Sequence, residues 1–301
     1  MKKTLAMMTA AVMVAGALAG CGSSSSTPAA TTAAATEAAT TAAATEAATE
    51  AATTEAAGDT AAAAEGTVKT PSGKFTVGFD QEFPPMGFVG DDGQFTGFDL
   101  ELAKEVASRL GLEFVPQPIN WDAKDMELDS GNIDCIWNGF TMQGREDDYT
   151  WVGPYMANNQ VFVVTADSDI ASKADLAGKA VEVQKDSSGL AALQGEAELS
   201  ASFGSMTEVA DYNTALMDLE SGACDAVCMD SIVAGYQIKS SGKDMKILDD
   251  TLSAEEYGIG FKKGEDELAK AVHDTLMDMK DDGTVAKISN DWFGSDVFTL
   301  K

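Results

Sequence analysis

Residues 74–111 read KFTVGFDQEFPPMGFVGDDGQFTGFDLELAKEVASRLG, and within this stretch the hydrophobic period changes from two to about four. Residues 74–79 alternate and are rich in β-formers, which predicts a strand. From Phe98 onward Phe98, Leu102, Val106 and Leu110 recur every fourth residue, with Ala103 and Ala107 beside them, until Gly111. That spacing predicts an amphipathic helix ended by a glycine. Asp99 reads as its N-cap, and Glu101 puts a negative charge in the first turn, where the helix dipole favours it.

Further along, residues 113–115 and 133–137 read as strands with a helix near 121–130 between them. Residues 180–183, 207–209 and 226–229 are short apolar strands, each followed by a helical stretch that begins near Ser188, Tyr212 and Ser231. Residues 257–261 give one more strand before a long helix over 265–282 and a last one around 285–292. Such β-then-α alternation predicts parallel sheets with helices on both faces, arranged as two α/β units.

On the N-terminal side the composition is different. Met1-Lys2-Lys3, a short apolar run and Leu18-Ala19-Gly20-Cys21 have the layout of a secretory leader, too short and alanine-rich to span a membrane. The pattern resembles the signal of bacterial lipoproteins, which implies cleavage after residue 20 and acylation of Cys21, with diacylglyceryl and palmitate-type chains as the membrane anchor. Residues 22–66 consist mainly of Ala, Thr, Ser and Glu, and carry the same nine-residue repeat, TTAAATEAA, at 31–39 and 40–48. They hold no aromatic residue and cannot form a core, so residues 21–66 read as a tether with a reach of roughly 35–40 Å.

Every Trp, Tyr and Phe lies in residues 67–301, a length ample for one large or two modest cores. A formal charge of −29 makes nucleic acid and anionic lipid poor partners. Cys135, Cys224 and Cys228 are an odd set and sit with no histidine, since the single histidine is His273. Buried thiols are expected, and neither a metal nor a cofactor.

In open α/β sheets ligands sit at the carboxyl ends of strands, in the loops that lead into helices. Those loops here contain Asp80 and Phe83, then Gly139, Thr141 and Arg145, then Ser187 and Ser188, then Asp230, with Trp121 nearby in sequence. One fixed cation, carboxylates, hydroxyls and aromatics match a zwitterionic amino acid. A guanidinium can grip its carboxylate with two parallel hydrogen bonds, helix-start donors can complete that shell, and a carboxylate can accept its ammonium.

Several segments in a fixed order resemble the extracellular solute-binding proteins, family 3, that feed polar amino acids to ABC importers. They are FTVGFDQEFPPMGF, TGFDLELAKEVASRLG, DCIWNGFTMQGRE, YTWVGPY, VEVQKDSSG, CDAVCMD, EEYGIGFKKG and DGTVAKISNDWFG. The resemblance implies a periplasmic-binding-protein type II fold, a Venus flytrap of two lobes joined by two crossover hinge strands. Lobe 1 would be 74–155 plus 258–301 and lobe 2 would be 160–252, with hinges near 155–159 and 253–257.

By the same resemblance Arg145 pairs with the ligand α-carboxylate, helped by Thr141, Ser187 and Ser188. Asp230 and the Gly139 carbonyl receive the ammonium. Phe83 and Trp121 flank the side chain, whose polar end meets Asp80. The chain departs from the family pattern in three places. Thr141 and Arg145 are four apart where five is common, Asp186 replaces a usual glycine, and Trp137-Asn138 replaces smaller residues, which adds Trp137 or Asn138 to the candidate lining.

The expected partners are a neutral or basic polar amino acid and a membrane-embedded permease, with a monomeric, non-enzymatic protein lipid-anchored outside the cytoplasm. Glutamine, cystine, arginine and histidine are the open candidates. Three other readings compete: an enzyme on the same fold resembling cyclohexadienyl dehydratases, a ligand-sensing module, and an adhesive or stalk-borne surface protein.

Overall fold

A computed structural model describes residue 70 and residues 72–301. The expected leader, Cys21 and the linker lie outside these residues. Lys74–Phe79 forms β1 and Phe98–Leu110 forms α1, ended by Gly111 in the left-handed conformation. Between them lies a small antiparallel sheet of β2 (Glu82–Phe83), β3 (Gly87–Val89) and β4 (Phe95–Thr96), whose strands are too short for periodicity to reveal.

The cap of α1 differs from expectation. Gly97, at φ 141°, takes the N-cap position, and Asp99 lies inside the first turn, fully buried. Only glycine fits there, because a Cβ on residue 97 would fall 2.3 Å from the Met86 carbonyl oxygen.

The chain continues through β5 (Glu113–Pro118), a 3-10 turn at Trp121–Ala123, α2 (Lys124–Asp129), β6 (Cys135–Thr141) and β7 (Tyr149–Thr165). Next come β8 (Ala180–Gln184), α3 (Ser188–Gly195), α4 (Ala197–Ser202), β9 (Ser205–Val209), α5 (Tyr212–Ser221), β10 (Ala226–Asp230) and α6 (Ser231–Ser241). β11 (Met245–Lys262), α7 (Asp266–Asp281) and α8 (Thr284–Phe293) complete it. The helices expected near Ser188, Tyr212 and Ser231 begin at those residues.

One eight-stranded sheet runs in the order β5-β1-β6-β11-β7-β10-β8-β9. β5, β1 and β6 are parallel, as are β9, β8 and β10. These are the two α/β halves that the alternation predicts. The sheet as a whole is mixed, however, and not parallel. β7 and β11 run antiparallel to each other, β7 also antiparallel to β10 and β11 to β6, and their ladder extends from Met245 opposite Thr165 to Lys262 opposite Tyr149. Two long strands therefore belong to both halves.

α1 buries Leu102, Ala103, Val106 and Ala107, and α7 buries Leu268, Val272, Leu276 and Met279 in the same core cluster. Each large aliphatic side chain so buried stabilises the fold by about 1.5–3 kcal/mol. A second cluster, around Phe162, Val181, Leu193 and Leu248, supports the β8 half. Cys135, Cys224 and Cys228 are buried free thiols. Among the described residues no helix is long and apolar enough to cross a membrane.

Candidate functional site

Hydrogen bonds join the carboxyl ends of strands from the two halves. Asp80, at the end of β1, is buried and accepts from the Gln184 amide at the end of β8 (2.7 Å) and from the Glu82 N–H (2.9 Å). Its own N–H donates to Asn138 Oδ1 at 2.9 Å, so Asn138 shapes this corner from β6. Burial pushes the Asp80 carboxyl up to about 6, against the opposing pull of the Glu82 and Gln184 bonds.

β6 is buried at all seven positions. Gly139 on it has φ 57°, and an added Cβ would come within 2.9 Å of the Phe83 ring, so the missing side chain lets that aromatic wall close in. The Gly139 N–H donates to Asp99 Oδ2 (2.7 Å), which also accepts from the Tyr155 hydroxyl (2.8 Å). The Phe83 ring faces Tyr212 of α5 at 5.9 Å, and Trp121 packs edge-on to Phe140 at 5.5 Å.

At the start of α3 the Thr141 hydroxyl bonds Ser188 Oγ at 3.2 Å, and the Gln160 amide donates to the same oxygen at 3.1 Å. Ser187 is the N-cap, with its Oγ accepting from the Leu190 N–H. The first-turn N–H groups of a helix have no intrahelical acceptor, which makes this a seat for an anion. Arg145 is half-buried. It donates to the Thr141 carbonyl at 3.2 Å and lies over the Phe140 ring at 5.1 Å.

Asp230 ends β10 and occupies the N-cap position of α6, yet makes no capping bond there. Asn158 of β7 caps instead, its Oδ1 accepting from Ser231 Oγ (3.1 Å) and the Ile232 N–H (3.3 Å). The Asp230 carboxylate turns inward and accepts from Asn158 Nδ2 (2.7 Å), the Tyr257 hydroxyl (2.7 Å) and the Tyr212 hydroxyl (3.2 Å). Burial first, and then the neighbouring Glu255 charge, push this carboxyl up to about 8.

The structure thus links Asp80 to Asn138, Phe83 to Gly139, Thr141 to Ser188 and Arg145 to Thr141. Arg145 and Asp230 do not pair with each other. Residues that the loop inventory missed are also present. Asn158, Gln160, Tyr257 and Glu255 come from the two long strands, where polar sequence gives no binding signal.

Lys124 is another such residue, only 2% exposed, with its ammonium on Asp186 at the loop before Ser187 and 5.4 Å from the Trp121 ring. Asp186 is the one non-glycine residue with positive φ (55°) among the described residues. Lys185 adds an exposed pair with Asp122 at 2.7 Å. An open groove of about 980 Å³ reaches Asp80, Glu82, Trp121, Asp122, Lys185 and Asp211. Arg145, Ser187, Ser188 and Asp230 do not line it.

The profile of the bacterial extracellular solute-binding proteins, family 3, matches residues 75–295. The chain is 32% identical over 231 residues to the L-cystine-binding protein TcyJ of Escherichia coli (strain K12), covering 75% of this chain and 84% of that protein. It is 32% identical over 229 residues to the L-cystine-binding protein TcyA of Bacillus subtilis (strain 168), covering 75% and 83%. Among solved structures it is similar to an ABC uptake transporter substrate-binding protein from Streptococcus pneumoniae with bound histidine, with a TM-score of 0.73 and 34% identity over 76% of this chain and 96% of that one. An ancestral arginine-binding protein bound to arginine is similar at a TM-score of 0.69 and 36% identity, covering 74% and 99%. With this match over most of its length, the chain belongs to the bacterial extracellular solute-binding proteins, family 3, and has their two-lobed α/β architecture.

Proposed function

We propose that the protein binds a polar α-amino acid between its two lobes, outside the cytoplasm, and delivers it to an ABC permease. The observation that carries this reading is Asp230, a buried carboxylate that leaves the capping of α6 to Asn158 and bonds no Lys, Arg or His among the described residues. It is suited to an ammonium brought by the ligand. Arg145, Thr141, Ser188 and the start of α3 would receive the α-carboxylate, with Ser187 contributing its backbone. Phe83, Trp121, Asn138 and Gly139 would enclose the side chain.

Asp80 disfavours an acidic side chain and favours a neutral or basic one. The ligands of the relatives above, cystine, arginine and histidine, are all of that kind. Lobe 1 is assigned to 74–155 plus 258–301 and lobe 2 to 160–252. Closure would bend the long strands near 155–159 and 253–257. Lipid on Cys21 would hold this monomeric, non-enzymatic protein at the membrane, with residues 21–66 as its tether.

Thermal unfolding of the ligand-stripped protein against the common amino acids plus cystine and ornithine tests the reading. A ligand at a hundred times its dissociation constant adds about 2.7 kcal/mol, a visible rise in the midpoint. No rise with any of them, or turnover of prephenate or arogenate, would overturn it.

A further inference from the structure

We propose that Glu255 is a second acceptor for the ligand's ammonium group, and that Glu255 and Asp230 form a carboxylate pair that gives up a proton when the ligand binds. This rests on the amino-acid reading above and adds to it a residue on the second long strand and a proton stoichiometry. Asn158 Nδ2 donates to Asp230 Oδ1 at 2.7 Å and to Glu255 Oε1 at 2.5 Å, so one nitrogen bridges two carboxylates.

The orientation of that amide is fixed, because its oxygen is already held by Ser231 and the Ile232 N–H at the start of α6. Asn158 and Glu255 also face each other in the β7–β11 ladder. Both carboxylates are almost fully buried, Asp230 at 3% and Glu255 at 5% exposure.

The groups around the pair are neutral donors. Tyr212 from α5 and Tyr257 from β11 face Asp230, Gln160 from β7 donates to Glu255 at 2.9 Å, and the Cys228 thiol of β10 lies close by. Among the described residues no Lys, Arg or His makes a bond to either carboxylate. Two buried negative charges side by side repel, and the pair lowers its energy by holding one proton between them. The upward push on Asp230, to about 8, has the Glu255 charge as its second cause.

An ammonium entering this corner replaces the proton as the pair's cation. The singly protonated pair and a ligand ammonium become a doubly ionised pair bonded to that ammonium, and one proton leaves to solvent. Charge and atoms balance without any further reactant. Since Glu255 sits where the strands cross between lobes, the same exchange places the ligand's charge against both of them.

The test is titration calorimetry on the ligand-stripped protein with L-cystine, L-arginine and L-histidine, in phosphate and in Tris at pH 7.5, where the buffers' different ionisation heats count protons. The pH lies above the range in which Asp80, at about 6, still takes up protons. Wild type is expected to release about half to one proton per ligand, with the dissociation constant falling by up to about tenfold per pH unit between 6.5 and 7.5.

Glu255→Gln keeps the size of the side chain and removes its charge. It is expected to bind the ligand while releasing less than about a third as many protons, with a flattened pH profile. Equal proton release in Glu255→Gln would overturn the proposal. If that variant fails to fold, the wild-type profile decides, since a dissociation constant flat between pH 6.5 and 8 also overturns it. Tight binding without proton release sinks the Glu255 assignment alone, whereas absence of binding to every amino acid sinks the amino-acid reading beneath it.

Discussion

Asp230 accepts hydrogen bonds from three buried side chains, whereas Arg145, at the other end of the proposed ligand, donates to one carbonyl and rests half-buried on Phe140. The proposed ammonium end is built by groups on α5, β7, β10 and β11 that hold one another in place. The proposed carboxylate end is a short loop whose Thr141 bonds Ser188 in the first turn of α3. A preorganised end gains little mobility when the ligand leaves and loses little when it returns. An adaptable end orders itself on binding, so the two should respond unequally to mutation.

The largest effect should come from Asp230→Asn, which leaves the ammonium with only one of its two proposed carboxylates in a desolvated corner, at a cost of about 3–5 kcal/mol, or a hundredfold or more in dissociation constant by calorimetry. Arg145→Ala should cost about 1.5–3 kcal/mol, because a half-exposed guanidinium is partly replaced by water. If Arg145→Ala proves the more damaging of the two, the contrast between the ends is wrong.

Lys124 and Asp186 sharpen it further, since their ion pair spans the two halves. Asp186→Asn tolerates the positive φ but strands a buried lysine, and should weaken binding by roughly tenfold. Lys124→Met removes the buried charge itself and should cost less than about threefold. The reverse order would show that Lys124 acts on the ligand and not on Asp186.

Apart from binding, the same buried carboxyls act on stability. Burial pushes the carboxyls of Asp80, Asp99 and Asp230 up to about 6, 7 and 8, from an ordinary value near 4. Between pH 4 and 8 the folded chain therefore binds more protons than the unfolded one. That stabilisation is fully present below about pH 4 and is lost as pH rises through these values. The ligand-free midpoint should fall by about 10 °C or more between pH 5 and 8 by calorimetry, and by less in the complex, where an ammonium stands in for the proton on Asp230. An identical fall with and without ligand would contradict that substitution.

What the sequence revealed, and what it hid, follows from local physics. The starts of α3 and α5 were legible because Ser187 and Asp211 cap them, accepting from the Leu190 and Thr214 N–H groups. Before α6, Asp230 sits at the cap position while Asn158, from a distant strand, makes the capping bonds. β1 and α1 were clear from periodicity.

The centres of β7 and β11 were not. Asn158, Gln160 and Glu255 point polar groups into the protein where alternation expects apolar ones, so only the apolar end of β11 reads as strand. Those breaks in pattern are where the proposed site lies. Lys124 was hidden for another reason, since its partner Asp186 belongs to a distant part of the chain. Asp99 was misread because its neighbour Gly97 already supplies the turn into α1.

The pairing of β6 with β11 also sets an order of events for the newborn chain. β1, β5 and β6 are made early, but the strand that completes their side of the sheet arrives only after β8, β9 and β10. A polypeptide emerging amino end first, from a ribosome or a secretion pore, can assemble much of the later half while the earlier one still presents an unpaired β6 edge. The segment synthesised first is thus the one that must wait longest, and an escorting chaperone would have its work there.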